Sequence, residues 1–181
     1  MSQTPFLERS RYYLAQEYPA KIRLSVTPLD EASIWQRAND DSNSIGNLLL
    51  HLAGNIRQWI VSGIGGAPSV RDRAGEFAAR GGHAKSELLD LLDASVRDAD
   101  AVLSSLPASD LDRNVTIQGR DTTVFSAIYH VVEHFSTHTG QIIMLAKMYA
   151  PGRVHFYEDA GGLAVPLWGG SERIVAKGKT P

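Results

Sequence analysis

Three histidines stand four residues apart in the stretch YHVVEHFSTHTGQ: His130, His134 and His138. The chain holds six histidines and no cysteine. Any metal it binds must therefore be held by nitrogen and oxygen donors. On an α-helix a step of four residues turns ~40° and rises ~6 Å, so these rings form a slowly drifting row. Two imidazoles at i and i+4 can chelate one divalent ion. A third nitrogen from elsewhere would complete three protein ligands and leave a position open, which is the arrangement of catalytic rather than structural sites. Imidazole suits zinc, nickel, iron and copper alike, so ligand type does not choose the metal. The same spacing is also compatible with histidines that only hydrogen-bond on a helix flank.

A source for the third nitrogen lies upstream. The row occupies one flank of a helix expected over 123–149, whose apolar face is Ile128, Val132, Phe135, Thr139, Ile142 and Ala146. A second helix, expected from about Ser44 to Val61, has the apolar face Ile45, Leu48, Leu49, Leu52, Ile56 and Trp59. His51 sits at its edge, with Asn47, Asn55 and Gln58 on the same polar flank. If the two strips meet across a seam, His51, His134 and His138 converge. His130 is the member of the row farthest from the apolar stripe and reads as a surface histidine or a partner behind the ligands. Asn47, Asn55 and Gln141 could accept the spare ring N–H of a bound imidazole or touch substrate. No carboxylate shares the histidine rows. Glu133 points away from them, towards a salt-bridging surface role, and Asp72, Glu76, Glu158 or Asp159 could approach only through the folding of loops. Arg57, Arg71 and Arg73 could meet an anionic substrate, although solvated surface roles are the expectation.

These helices belong to a pattern of four. The first spans about Phe6–Val26, with Leu14, Tyr18, Ile22 and Val26 in register and Pro19 expected to kink or break it. A linker, DEASIWQRANDDSN, ends in capping residues. The third helix, about Ala84–Leu106, buries Leu88, Leu92, Val96, Ala99, Leu103 and Leu106 and turns Asp90, Asp93, Arg97 and Asp98 to water. VRDRAGEFAARGG is a polar connection without a clear period. NVTIQGRDTTV alternates around a glycine, as a short β-hairpin does. The residues after APG are glycine-rich and aperiodic. We read 156–168 as an ordered, irregular strap and 169–181 as a flexible tail, with 1–168 forming one domain. Four long helices with few strands argue for an all-α four-helix bundle.

Bulk properties narrow the function. The net charge of −2 and the lack of a basic stripe argue against nucleic acid. No apolar run approaches the ~20 residues needed to span a bilayer. The first residues, MSQTPFLERSR, lack the apolar core of a signal peptide, so a cytoplasmic protein is expected.

SNSIGNLLLHLAGNIRQWI, followed far downstream by HVVEHFSTHTGQI, resembles the DinB/YfiT-like superfamily, closest to a branch described as a domain of unknown function. The resemblance covers about Tyr13 to Trp168. It rests on a helix-two His-Leu pair and a later His-x-x-x-His-x-Gly-Gln, matched here by His51 and by His134, His138, Gly140 and Gln141. It implies a four-helix bundle of DinB/YfiT-like type and a three-histidine site for one divalent metal, zinc or nickel. Some relatives are S-transferases or isomerases using low-molecular-weight thiols, and others are metal-dependent hydrolases. The implied reading is therefore a metal-dependent enzyme acting on a small molecule with a thiol cosubstrate, or a hydrolase, in a homodimer. A non-catalytic, metal-binding stress-response scaffold is the alternative outside enzymology. The family's damage-inducible name might suggest DNA, which the charge disfavours.

Overall fold

The structure is a computed structural model and describes residues 4–169. The tail expected over 169–181 lies, from residue 170 on, outside the described residues. The protein is mostly helical, with two small antiparallel hairpins. The first long rod is α1 (Pro5–Tyr12) and α2 (Tyr18–Val26), joined by a π-helical stretch, Tyr13–Glu17. Thr4 caps it and Pro5 occupies the first turn, where a missing N–H costs nothing. Pro19 does not break this rod. The wide turn before it, closed by the Tyr18 N–H on the Tyr13 carbonyl, absorbs the residue that cannot donate.

A short helix α3 (Glu31–Trp35), capped by Asp30, crosses to the second rod. That rod is α4 (Ile45–Ile56), continued by a second π-helical stretch, Arg57–Ser62. Ser44 accepts from the Asn47 N–H while the Asn47 side chain accepts from the Ser44 N–H, so the expected cap is present and reciprocal. Gly46 lets the Trp35 ring lie flat on this helix, since a Cβ there would meet ring atoms at 2.8 Å.

The polar connection is partly helical. α5 (Arg73–Ala78) is capped by Asp72, whose carboxylate accepts the Gly75 N–H at 2.9 Å. α6 (Lys85–Ser105) follows, then β1 (Asn114–Ile117) and β2 (Arg120–Thr123) in the register Asn114–Thr123 to Ile117–Arg120. Gln118 and Gly119 turn this hairpin with φ of 54° and 71°. α7 (Val124–Tyr149) starts at the Thr123 cap.

The core fills the seams between the long rods. Ile22 and Val26, then Leu48, Leu49, Leu52 and Ile56, are buried. So are all six expected third-helix positions, and on α7 Ile128, Val131, Phe135, Ile142 and Ala146. The α7 stripe is centred on Val131 rather than Val132, which is only half-buried.

The chain after α7 is more regular than the strap its glycines suggest. β3 (Tyr157–Asp159) and β4 (Ala164–Pro166) pair antiparallel, and Gly161 and Gly162 turn the chain with φ of 66° and 85°. Its Trp168 ring packs on Phe156 and Tyr157 and lies 4.3 Å from the Lys21 ammonium on α2. Among the described residues no helix is long and apolar enough to cross a membrane.

Candidate metal centre

α4 and α7 pack against each other, and their polar flanks face across the seam. One ring nitrogen each from His51, His134 and His138 falls within 4.8 Å of the others. His51 and His134 approach through Nε2 atoms 2.8 Å apart. Two nitrogens at ~2.0–2.1 Å from one tetrahedral ion lie ~3.3 Å apart, so the pair stands a few tenths of an ångström inside that separation. The His51 and His138 rings meet edge to face at 5.1 Å, and those of His134 and His138 at 4.4 Å.

The outer nitrogens have distinct partners. His51 Nδ1 is 2.9 Å from Glu76 Oε2. His138 Nδ1 is 2.7 Å from Gln141 Oε1. Gln141 Oε1 accepts only, which fixes the His138 proton on Nδ1 and leaves its Nε2 lone pair free, whereas His51 Nδ1 faces both the Glu76 acceptor and, at 3.0 Å, the Arg71 Nη2 donor. The 2.8 Å contact needs a proton on one of the two Nε2 atoms, which a bound metal would displace. Burial, and then the neighbouring His138, His51, His130 and Arg71, lower the His134 pKa to about 3. Burial also lowers that of His138, although Gln141 pulls the other way. Both rings are thus neutral near pH 7, as metal binding requires.

Glu76 was expected to approach only through loop folding, and α5 brings it there. Its carboxylate is 9% exposed and takes a bidentate pair from Arg71, Nε to Oε1 at 2.6 Å and Nη2 to Oε2 at 2.7 Å. Burial would raise the Glu76 pKa, but the hydrogen bonds and charges of Arg71 and His51 outweigh it and hold it below the usual carboxylate value. Arg71 is no solvated surface residue. Its side chain is 6% exposed and also donates to Gln58 Oε1 at 2.8 Å. Gly54, one helical turn after His51, makes room for this pair. A Cβ there would lie 2.9 Å from Arg71 Nε and nearer still to Glu76 Oε1.

The other expected residues separate. Asn47 does not serve the histidines directly. Its amide donates to the Glu76 and Ala79 carbonyls at 2.8 and 2.9 Å and accepts from Arg37 at 2.7 Å, which straps α5 onto α4. His130 is not a free surface ring: it is half-buried, 4.3 Å from the Trp59 ring and 5.4 Å from His134. Burial lowers its pKa, and Arg120 adds to this against Glu133. Glu133 is exposed and makes no ion pair among the described residues. Arg57 pairs with Asp98 across to α6. His83 is exposed, and His155 contacts the Gly152 carbonyl, away from the site.

A cavity of about 430 Å³ opens onto this centre. Of its lining, His51, Asn55 and Trp59 are buried, Arg71, His130 and His134 half-buried, and Arg73, Gln118 and Arg120, at the rim, exposed. Sequence reasoning had Glu76 reach the site only through loop folding and Arg71 solvated at the surface, and it missed Gly54. A glycine inside an apolar helix beside His51 was the one available signal for a close approach there.

The scaffold is mostly helical, with one histidine on α4 and an i, i+4 pair on α7, and its class is that of the DinB-like proteins. Residues 2–156 match the family described as "Protein of unknown function (DUF1572)", and the chain belongs to that DinB-like family. The fold is similar to the crystal structure of a DinB-like protein, YjoA, from Bacillus subtilis, with a TM-score of 0.62 and 16% identity over 83% of this chain and 98% of that one. No curated protein matches the sequence.

Proposed function

We propose that this protein is a metal-dependent enzyme whose His51, His134 and His138 hold one divalent transition metal, zinc or nickel, within a single four-helix-bundle domain. The observation that carries this is the convergence of three imidazoles, two of whose outer nitrogens are already held by Glu76 and Gln141. A divalent ion at such a centre supplies Lewis acidity, lowering the pKa of a water or a thiol at an open position. Glu76 and Gln141 orient the rings, and Arg71 keeps Glu76 in place and ionised. Asn55 and His130 line the cavity that would receive substrate.

The favoured reaction is low-molecular-weight-thiol-dependent S-transfer on a small molecule. Glu76 favours it over hydrolysis. Its carboxylate is occupied by Arg71 and His51 and its pKa is held down, so it is a poor base for activating water. A thiol needs less help, since it ionises nearer neutrality. The enzyme works in the cytoplasm as a homodimer, without nucleic acid or membrane.

The test is a comparison of substrates on the zinc- or nickel-loaded protein. Thiols presented with electrophilic acceptors should give turnover, and esters and amides should give little. Hydrolysis without thiol transfer would replace this reading with the hydrolase. A stoichiometric metal with neither activity would replace it with the scaffold.

A further inference from the structure

The rim of the cavity carries charge that no ion pair among the described residues fully answers. Arg71, Arg73 and Arg120 line it, and no carboxylate does. Arg71 is matched by Glu76 behind it. Arg73 lies 5.0 Å over the Phe77 ring, and among the described residues neither Arg73 nor Arg120 makes an ion pair. Two guanidiniums without an ion pair in one cavity lining that holds no carboxylate favour an anion there. Lower in the same cavity, Asn55 is 3% exposed and its Oδ1 has no hydrogen-bond partner. A buried amide oxygen without a donor is costly unless something brings one. The two features come from different elements. Asn55 is on α4, while Arg73 opens α5 and Arg120 begins β2.

We propose that the cavity receives a small molecule with an anionic group, carboxylate or phosphate, which Arg73 and Arg120 grip while its other end reaches the histidines and a polar hydrogen in between meets Asn55 Oδ1. A guanidinium presents paired N–H donors that match either anion. This rests on the metal-enzyme reading above and specifies its substrate class. Arg73 and Arg120 are binding residues of this site. Both are exposed, so their replacement leaves the core untouched.

The test uses the protein loaded with cobalt(II), whose visible absorption reports loading independently of activity. Omega-mercaptoalkanoates and omega-mercaptoalkylphosphonates of graded chain length are titrated calorimetrically beside mercaptoalcohols of equal length. The best anionic probe should bind about tenfold tighter or more than its alcohol counterpart. In the Arg73→Gln, Arg120→Gln double variant that preference should shrink to about twofold or less, with cobalt loading and alcohol affinity unchanged. The carboxylate and phosphonate arms decide which anion is the better fit. Equal affinity of anion and alcohol, a preference that survives in the double variant, or no anionic probe bound by the loaded protein would each overturn the proposal. Failure to take up cobalt would instead remove the metal reading beneath it.

Discussion

His51 has one ring nitrogen on Glu76 and the other facing His134, so its orientation is set from both sides. That makes Glu76 a residue whose loss should be felt at the metal without being a ligand. Glu76→Gln keeps the shape but removes the charge and leaves Arg71 without its carboxylate. It should weaken zinc affinity about 10- to 100-fold with the helical circular dichroism unchanged. Competition against a chelator reads this directly, and unaltered affinity would deny Glu76 its role. Gly54→Ala should act through the same pair, because its new methyl would occupy the place of the Glu76 and Arg71 side chains. A loss of zinc affinity comparable to that of Glu76→Gln is expected in the same chelator competition.

At the scale of elements, α5 is the piece that completes the site, and Asn47 fastens it to α4 with two hydrogen bonds to backbone carbonyls. Asn47→Ala removes the side-chain donor to the buried Glu76 carbonyl and the half of the α4 cap that accepts from the Ser44 N–H. It should cost about 2 kcal/mol in denaturant unfolding and loosen Glu76 as well. A full-strength zinc site in that variant would show that α5 is held some other way. The difference between long and short elements also decides what was legible beforehand. α4, α6 and α7 repeat their apolar residues over many turns, and Ser44 and Thr123 mark where two of them begin. Those faces put His51, His134 and His138 on flanks that could meet, and the family resemblance singled them out as the ligand set. α5 has one and a half turns and no apolar period, so only its Asp72 cap announces a helix and nothing announces which way Glu76 faces. β3 and β4 were hidden for a similar reason: the glycines that look like irregularity are the turn that pairs the strands.

For the whole molecule, the histidine cluster ties stability to pH. The His134 pKa falls to about 3 in the folded chain from about 6.5 when unfolded, so the unfolded chain binds more protons between those values. The lowered pKa of His138 adds in the same direction. The metal-free protein should therefore keep its full stability above pH 6.5 and lose it progressively as the pH falls toward 3. Melting temperatures recorded across that window should decline. In a His134→Ala variant the decline should be shallower, and an equal slope would contradict the assignment. Zinc binding only the folded state should raise the melting temperature at neutral pH, the more so as free zinc exceeds its dissociation constant.

The most direct measurement of the central claim is metal content. Protein purified free of metal, reconstituted with zinc or nickel and freed of excess should carry about one ion per chain by elemental analysis, because three imidazoles and one open position define one site. His138→Ala, folded by circular dichroism, should retain about a tenth of that or less under the same treatment. Wild-type metal content in the His138→Ala protein would contradict the account, since the ion would then sit elsewhere than among His51, His134 and His138.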